Sequence, residues 1–365
     1  MKDVLNVAML SDKFLPSVKP TSIGVVGYEL SEALSQLGVN VVLFCRGLSR
    51  SEYQVNPYFS IRSFPHFPAL IPVEFLRAMQ RSHFDVVHAQ TVYTFWGVAL
   101  ARVLSKPVVR HMHGTLDGLV GKTSCELSTC IIAPSNYVKR LYARRFARKT
   151  VVVHHGVNIG EFKPEPPSEI GTKYGLPLGS RLILSVGTVV EGKGQIFAVR
   201  ALQGVAKRFP NVFYALCGRI SSQSYFRELQ EEAQKRAPGR VKFLQQVPRE
   251  DLAKLINLAE VCVHPSLEEA FGLAVVEEMS CGKPVVAFNN SAMPEIIEHM
   301  RTGILVETED VSTLAGAIVS VLENRKFANT LGRNAREEIT KNFTWQKAAK
   351  DLLTVYQGIR ADQLD

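Results

Sequence analysis

One rhythm recurs twice along this chain: a short run of apolar, often β-branched residues, a longer amphipathic stretch, then another apolar run. VLNVAML, GVVGYELSEALSQLG and VNVVLFC open the first series, with Gly38 where a helix would be capped. FDVVHAQ, VYTFWGVALARVL, KPVVRHMHG, STCIIAPS, SNYVKRLYARRF and TVVVHHG continue it. The strand-like runs are continuously apolar rather than alternating, which predicts strands covered on both faces, as in parallel sheets. The segment EFKPEPPSEIGTKYGLPLGSR then holds four prolines and three glycines, too many for an element interior, and reads as a linker. A second series follows, with LILSVG, QIFAVRALQGVAKRF, NVFYALCG, VKFLQQV, EVCVHPS, AFGLAVVEEMSCG, KPVVAFN and GILVE, and only helix is expected from about residue 310 to 360. This pattern predicts an α/β chain with two doubly wound, Rossmann-like domains, 1–168 and 169–345, and a terminal helical segment, 346–365. Ligands of such sheets bind beyond the carboxyl ends of the strands, so two sheets facing each other would place the chemistry in a cleft between domains.

Composition narrows the partners. Lys+Arg number 43 against 34 Asp+Glu; residues 1–168 hold an excess of eight positive charges and the remainder an excess of one. The sharpest cluster is Lys139, Arg140, Arg144, Arg145, Arg148 and Lys149, with 140, 144 and 148 at helical i, i+4 spacing. It reads either as a solvated helix face or as a contact for an anionic membrane or an acidic acceptor. Nucleic acid is not expected, because no aromatic and glycine pattern accompanies the charge. No apolar run approaches the ~18 residues of a membrane span, since YTFWGVALARVL is cut by Arg102, and MKDVLNVAML lacks the features of a secretory signal. The six cysteines form no CxxC pair and read as buried, reduced thiols of a cytoplasmic protein.

EEAFGLAVVEEMSCGKPVV carries the most chemical information. A strand ends near His264, a loop brings two carboxylates, a helix begins near Phe271 and Gly272, and Gly282 stops it. Unpaired N–H groups at a helix start favour an anion such as a phosphate, and Gly272 lets a ligand approach closely. Glu269 and Glu277 would then accept hydrogen bonds from sugar hydroxyls; helix capping and plain surface charge are the alternative.

This stretch resembles the E-x7-E motif of glycosyltransferase family 4, whose members are retaining, nucleotide-sugar-dependent enzymes of the GT-B fold. VGTVVEGKG, INLAEVCVHPS, MPEII, FTWQKAA, CIIAPSNYVKR and VVVHHGVNIGEFKP resemble further parts of that family, so the likeness runs from about residue 5 to 356. It implies that Glu269 lies against the donor sugar, beside the backbone N–H groups of Phe271, Gly272 and Leu273. It further implies that Glu277 holds the nucleotide ribose, that Lys193 contacts the diphosphate and that Gly187 lets the diphosphate approach. His113 resembles the family's active-site histidine, with a role in hydrogen bonding to donor sugar or acceptor. The final helix is expected to cross back onto the first domain, as in family members.

Departures accompany the likeness. Thr188 stands where the family usually has an arginine on the diphosphate, and Arg219 is the candidate to restore that charge. Pro20, Thr21 and Ser22 replace paired glycines before the first helix, with Gly24 and Gly27 as substitutes, and Ser291 and Ala292 precede MPEII. His111 and His113 share a strand face, but no third ligand is evident and no metal site is expected; His154 and His155 read as structural. No D-x-D sequence occurs, which favours a metal-free mechanism with Lys193, Arg219 and the helix start meeting the leaving-group charge. The expected activity is transfer of a hexosyl group from a UDP- or GDP-linked nucleotide sugar to a hydroxyl acceptor, carried on a lipid or another carrier, on or near the inner membrane face, with no separate cofactor. The departures leave two rivals, a catalytically silent nucleotide-sugar-binding subunit and a nucleotide-sugar epimerase on the same fold.

Overall fold

The computed structural model describes residues 4–11, 21–47, 49–65, 70–91, 95–114, 118–245 and 247–361. The chain forms two compact units, Met1–Gly156 with Trp345–Asp365 and Val157–Thr344.

Unit 1 contains, in chain order, β1 (Asn6–Leu10), α1 (Ser22–Gln36), β2 (Asn40–Gly47), β3 (Ser51–Asn56), β4 (Phe59–Pro65), α2 (Leu70–Arg81), β5 (Val86–Ala89), α3 (Phe95–Val103), β6 (Val108–His111), α4 (Gly118–Leu127), β7 (Cys130–Ala133), α5 (Asn136–Phe146) and β8 (Thr150–Val152). Its sheet runs β3-β4-β2-β1-β5-β6-β7-β8. All neighbours are parallel except the β3–β4 hairpin. That hairpin lies in a stretch the apolar rhythm passes over: SEYQVN is polar and largely exposed, so an edge strand there has no burial pattern to announce it.

Unit 2 contains α6 (Ile170–Lys173), β9 (Arg181–Val186), α7 (Gln195–Arg208), β10 (Val212–Cys217), α8 (Gln223–Arg236), β11 (Val241–Leu244), α9 (Arg249–Leu258), β12 (Val261–His264), α10 (Leu273–Ser280), β13 (Val285–Phe288), α11 (Met293–Ile296), β14 (Ile304–Val306), α12 (Val311–Glu323) and α13 (Arg325–Asn342). Its all-parallel sheet runs β11-β10-β9-β12-β13-β14, with a core on each face. The strands are buried on both sides, which is why their sequences are continuously apolar.

After unit 2 the chain returns to unit 1 as α14 (Trp345–Ala361), which packs on α1 and buries Trp345, Leu352 and Tyr356. The division between units falls at 156/157 rather than at the proline-rich stretch near 168. Phe162 is fully buried in the unit 2 core, and Asn257 donates to the Lys163 carbonyl while accepting from the Glu165 N–H, so this stretch is anchored before the prolines begin. The six cysteines are free and buried.

In each sheet strand order reverses once, at β1/β5 and at β9/β12. Crevices at such reversals, beyond the strand carboxyl ends, are where open α/β sheets bind ligands.

Candidate active site

At the β9/β12 reversal in unit 2, two loops are locked together. Gly194 adopts φ 59°, and a Cβ there would lie 2.0 Å from the Pro265 carbonyl oxygen, so only glycine fits. The Leu267 N–H donates to the Gly192 carbonyl at 2.9 Å, tying the loop after β12 to the loop after β9. Their side chains therefore meet: the Lys193 ammonium lies 2.5 Å from Glu269, both partly buried. Lys193 sits in a short 3-10 turn, Glu191–Lys193, ahead of α7, rather than in the helix itself.

The same loop reaches β10. A Cβ on Gly218 would lie 1.9 Å from the Gly187 carbonyl oxygen, so the ends of β9 and β10 close up there, whereas Gly187 itself faces open space. The Thr188 carbonyl accepts from the Gln195 side chain at 2.9 Å. Arg219 is exposed, and its backbone carbonyl accepts from Val189 at 2.8 Å.

Gly272, at φ 108°, is the residue before α10, and a Cβ on it would strike the Met293 side chain. The first N–H groups of α10, from Leu273 onward, have no intrahelical acceptor by helix geometry. Phe271 is not presented to a ligand through its ring, which is buried against Phe343. Glu277 is one turn into α10. Arg249, at the start of α9, donates to Glu277 at 3.2 Å and pairs with Glu161 at 2.7 Å while its guanidinium lies over Phe162. Burial raises the Glu277 carboxyl to about 7, with Arg249 opposing that rise. Beneath it, Glu278 is fully buried and 2.6 Å from His264; burial pushes its carboxyl up, and the His264 partner counteracts this.

His113 lies in unit 1, in a cluster that the sequence only half reveals. His88 on β5, His111 on β6, His113 just beyond β6 and His155 beyond β8 form a network at the carboxyl edge of the sheet. Gln90 accepts from His113 Nε2 at 2.7 Å and donates to His88 Nε2 at 3.3 Å. His88 Nε2 is then an acceptor, so its proton sits on Nδ1 and faces the Tyr356 hydroxyl at 2.6 Å. His111 in turn donates from Nδ1 to His88 at 3.2 Å and accepts at Nε2 from His155 at 3.1 Å. One proton per ring gives each of these contacts a donor, with the His88 Nε2 lone pair shared between Gln90 and His111. All four histidines are shifted down, His88 and His155 to about 3, with burial as the main cause, and Arg110 adds to the effect for His88, His111 and His113. His155 and His88 join the pair foreseen from the strand pattern, and no group of His, Cys, Asp or Glu among the described residues is arranged to hold a metal.

The basic cluster is less uniform than its spacing suggests. α5 ends at Phe146, so Arg148 lies in the following 3-10 turn and does not continue the face of Arg140. Lys149 is committed to the carbonyls of Cys125, Glu126 and Ser128, and Arg145 pairs with Glu126. No helix among the described residues is long and apolar enough to cross a membrane. Residues 12–20, which include Pro20 of the loop before α1, lie outside the described residues, as does Gln246. Phe243 of β11 packs edge-on against Phe226 at 5.1 Å. Gly27 brings α1 against Ser11, where a Cβ would collide with its side chain.

Two Rossmann-like units of this topology define the GT-B class of glycosyltransferases. Solved structures with this fold include a sucrose-phosphate synthase from Thermosynechococcus elongatus, with TM-score 0.81 and 23% identity, covering 98% of this chain and 100% of that one. Anabaena HepE in complex with UDP and glucose matches with TM-score 0.79 and 20% identity, over 97% of this chain and 100% of that one. Among sequence relatives, a D-inositol 3-phosphate glycosyltransferase from Nocardioides sp. is 26% identical over 98% of this chain and 91% of the relative. The model for glycosyl transferases group 1 matches residues 168–338, and that for glycosyltransferase family 4 matches residues 23–161. The two models together cover most of the chain, which belongs to the glycosyltransferases they describe.

Proposed function

We propose that unit 2 binds a UDP- or GDP-linked hexose and that the enzyme transfers the hexosyl group, with retention, to a hydroxyl acceptor held by unit 1. The observation that carries this reading is the Lys193–Glu269 pair, fixed at the β9/β12 reversal by Gly194 and Gly272 and followed one turn later by Glu277. In this reading Glu269 accepts hydrogen bonds from the donor sugar, and Glu277, oriented by Arg249, accepts those of the ribose. Lys193, Arg219 and the N–H groups of Gly272 and Leu273 meet the charge that develops on the departing diphosphate, Gly187 and Thr188 giving it room. The acceptor oxygen attacks on the face the diphosphate leaves, its proton passing to the departing phosphate oxygen, so no covalent carboxylate intermediate is required. The mechanism needs no metal or separate cofactor, the positive charge being supplied by the chain. His113, fixed by Gln90, donates or accepts hydrogen bonds at the sugar but carries no charge at neutral pH.

The basic surface of unit 1 supports an acceptor presented on an anionic membrane at its cytoplasmic face, with Arg140 and Arg148 exposed. Vesicle binding indifferent to anionic lipid content would remove that part. Titration of UDP, GDP and ADP into the wild type and Glu277→Ala tests the donor site. Micromolar binding of one nucleotide, weakened about tenfold by the substitution, supports the transferase, as ~1.4 kcal/mol would be lost. Binding without turnover on any acceptor would instead identify a silent binding subunit, and interconversion of the donor alone an epimerase.

A further inference from the structure

We infer that the buried Glu278–His264 pair of unit 2 is a strut that sets the spacing between Glu269 and Glu277, which makes Glu278 and His264 positioning residues for the nucleotide sugar. This rests on the transferase reading above, in which Glu269 and Glu277 hold opposite ends of that ligand.

The two carboxylates are carried by separate pieces of structure. Glu269 belongs to the loop after β12, which is tied down on both sides. Leu267 donates to the Gly192 carbonyl at 2.9 Å, the Asn290 side chain donates to the Ser266 carbonyl at 3.0 Å, and the Ala292 N–H donates to the Glu269 carbonyl at 3.2 Å. Glu277 belongs to α10, which packs into the core on one face of the sheet through Val275, Val276 and Met279. Apolar contact of that kind is non-directional: it holds a helix against a sheet without fixing how far along the strands the helix sits. Arg336 holds the Ser280 end of the helix through its carbonyl and hydroxyl, which leaves the register between the body of α10 and β12 to be set.

The pair supplies that register. His264 is the last residue of β12, and Glu278 follows Glu277 directly on α10. His264 Nε2 and Glu278 Oε2 lie 2.6 Å apart, and with relative exposures of 6% and 0% the two residues are shielded from water. A hydrogen bond weakens steeply with distance and angle, so sliding α10 along β12 would break it. Stability alone does not account for the pair, because buried ionisable pairs are often matched or exceeded by apolar side chains of equal volume, and Cys262, Val275, Val276 and Met279 of the same core are apolar. What it adds is direction. Next to His264, the Pro265 carbonyl sits against Gly194, so a displaced strand end would also be felt at Lys193.

The experiment separates length from charge. Glu278→Gln keeps the length and an oxygen that can accept from His264 but cannot ionise, whereas Glu278→Asp ionises but is one carbon–carbon bond shorter, about 1.5 Å. Wild type is screened against UDP-glucose, UDP-N-acetylglucosamine and GDP-mannose. The one that binds is titrated, together with its nucleoside diphosphate, into the full-length variants, with melting temperatures recorded. Sites of this kind tolerate displacements of about 0.5 Å, so Glu278→Asp should lose at least about tenfold in affinity for the nucleotide sugar. Affinity for the diphosphate, which in this reading does not reach Glu269, should fall by about twofold or less, and Glu278→Gln should stay within about twofold of wild type for both ligands. An unchanged ratio of the two affinities in Glu278→Asp overturns the strut. A loss in Glu278→Gln as large as that in Glu278→Asp also overturns it, because charge is then the essential property. Where Glu278→Asp does not fold, Glu278→Leu/His264→Phe, which removes the strut and fills its volume, takes its place under the same criteria; failure of both to fold makes the pair a folding element and overturns the strut. If wild type binds none of the nucleotide sugars, the donor reading falls and the strut with it, whereas binding that ignores Glu278→Asp removes the strut alone.

Discussion

Both units place polar groups beyond the strand carboxyl ends near a reversal of strand order, and they keep them there by opposite means. At the β1/β5 reversal the groups are imidazoles, buried, neutral and hydrogen-bonded ring to ring. At the β9/β12 reversal they are ions in cross-linked pairs, Lys193 with Glu269 and Arg249 with Glu161 and Glu277. A buried charge must be paired or lost, and the two clusters are the two solutions. The neutral cluster loses stability in acid, while the ionic one has charge to offer a ligand.

Acid breaks the comparison most strongly. The histidine values in the fold lie below the ordinary value, so the unfolded chain binds more protons between about pH 3 and 6.5, and stability must fall as pH drops through that window. Each imidazole contributes up to ~1.4 kcal/mol per pH unit. Denaturant unfolding at stepped pH should show unit 1 losing stability first, and equal loss in both units would contradict the neutral-cluster picture. Next comes Gly218→Ala, which forces a methyl group onto the Gly187 carbonyl oxygen and should cost unit 2 at least ~3 kcal/mol, with unit 1 unfolding unchanged.

A third measurement follows UDP affinity with pH. The Glu277 carboxyl is raised to about 7, so it is increasingly ionised, and a better acceptor for ribose hydroxyls, as pH rises through that value. Affinity should increase up to about tenfold across the transition. Glu277→Gln should be flat, and a wild-type profile that is also flat would remove Glu277 from the ribose. Because burial favours its protonated form, the same group lowers stability as pH rises between the ordinary carboxylate value and about 7, opposite in sign to the histidines. The smallest effect expected is that of Tyr356→Phe, which takes away the partner of His88 Nδ1 and should cost ~1–2 kcal/mol in unit 1, read as a shift in melting temperature.

The alternating elements were legible because they depend on local pattern, apolar runs, loop glycines and a helix start; Lys193 and Glu269 were each singled out through the family resemblance, and their contact, across 76 positions, was not foreseen. Nor was the Arg249–Glu161 pair, since its partners lie 88 positions apart and neither belongs to a distinctive local motif. His88 was hidden in an ordinary strand sequence, and its partner Tyr356 lies 268 positions further on, in what reads as one turn of a polar helix. The β3–β4 hairpin escaped notice because an exposed edge strand carries little apolar signal, and the face of Arg140 and Arg148 was overdrawn because nothing local marks the stop of α5 at Phe146.

The chain enters unit 2 at Val157 and leaves it at Thr344, and these two residues bridge side by side, so unit 2 is an insertion into the sequence of unit 1. During synthesis unit 2 can therefore fold as soon as its own residues have emerged, while unit 1, although translated first, lacks the tyrosine that closes its histidine cluster until α14 follows. Order of translation and order of completion are reversed in this protein. A chain cut after residue 344 would hold every residue of the second unit and leave the first one open.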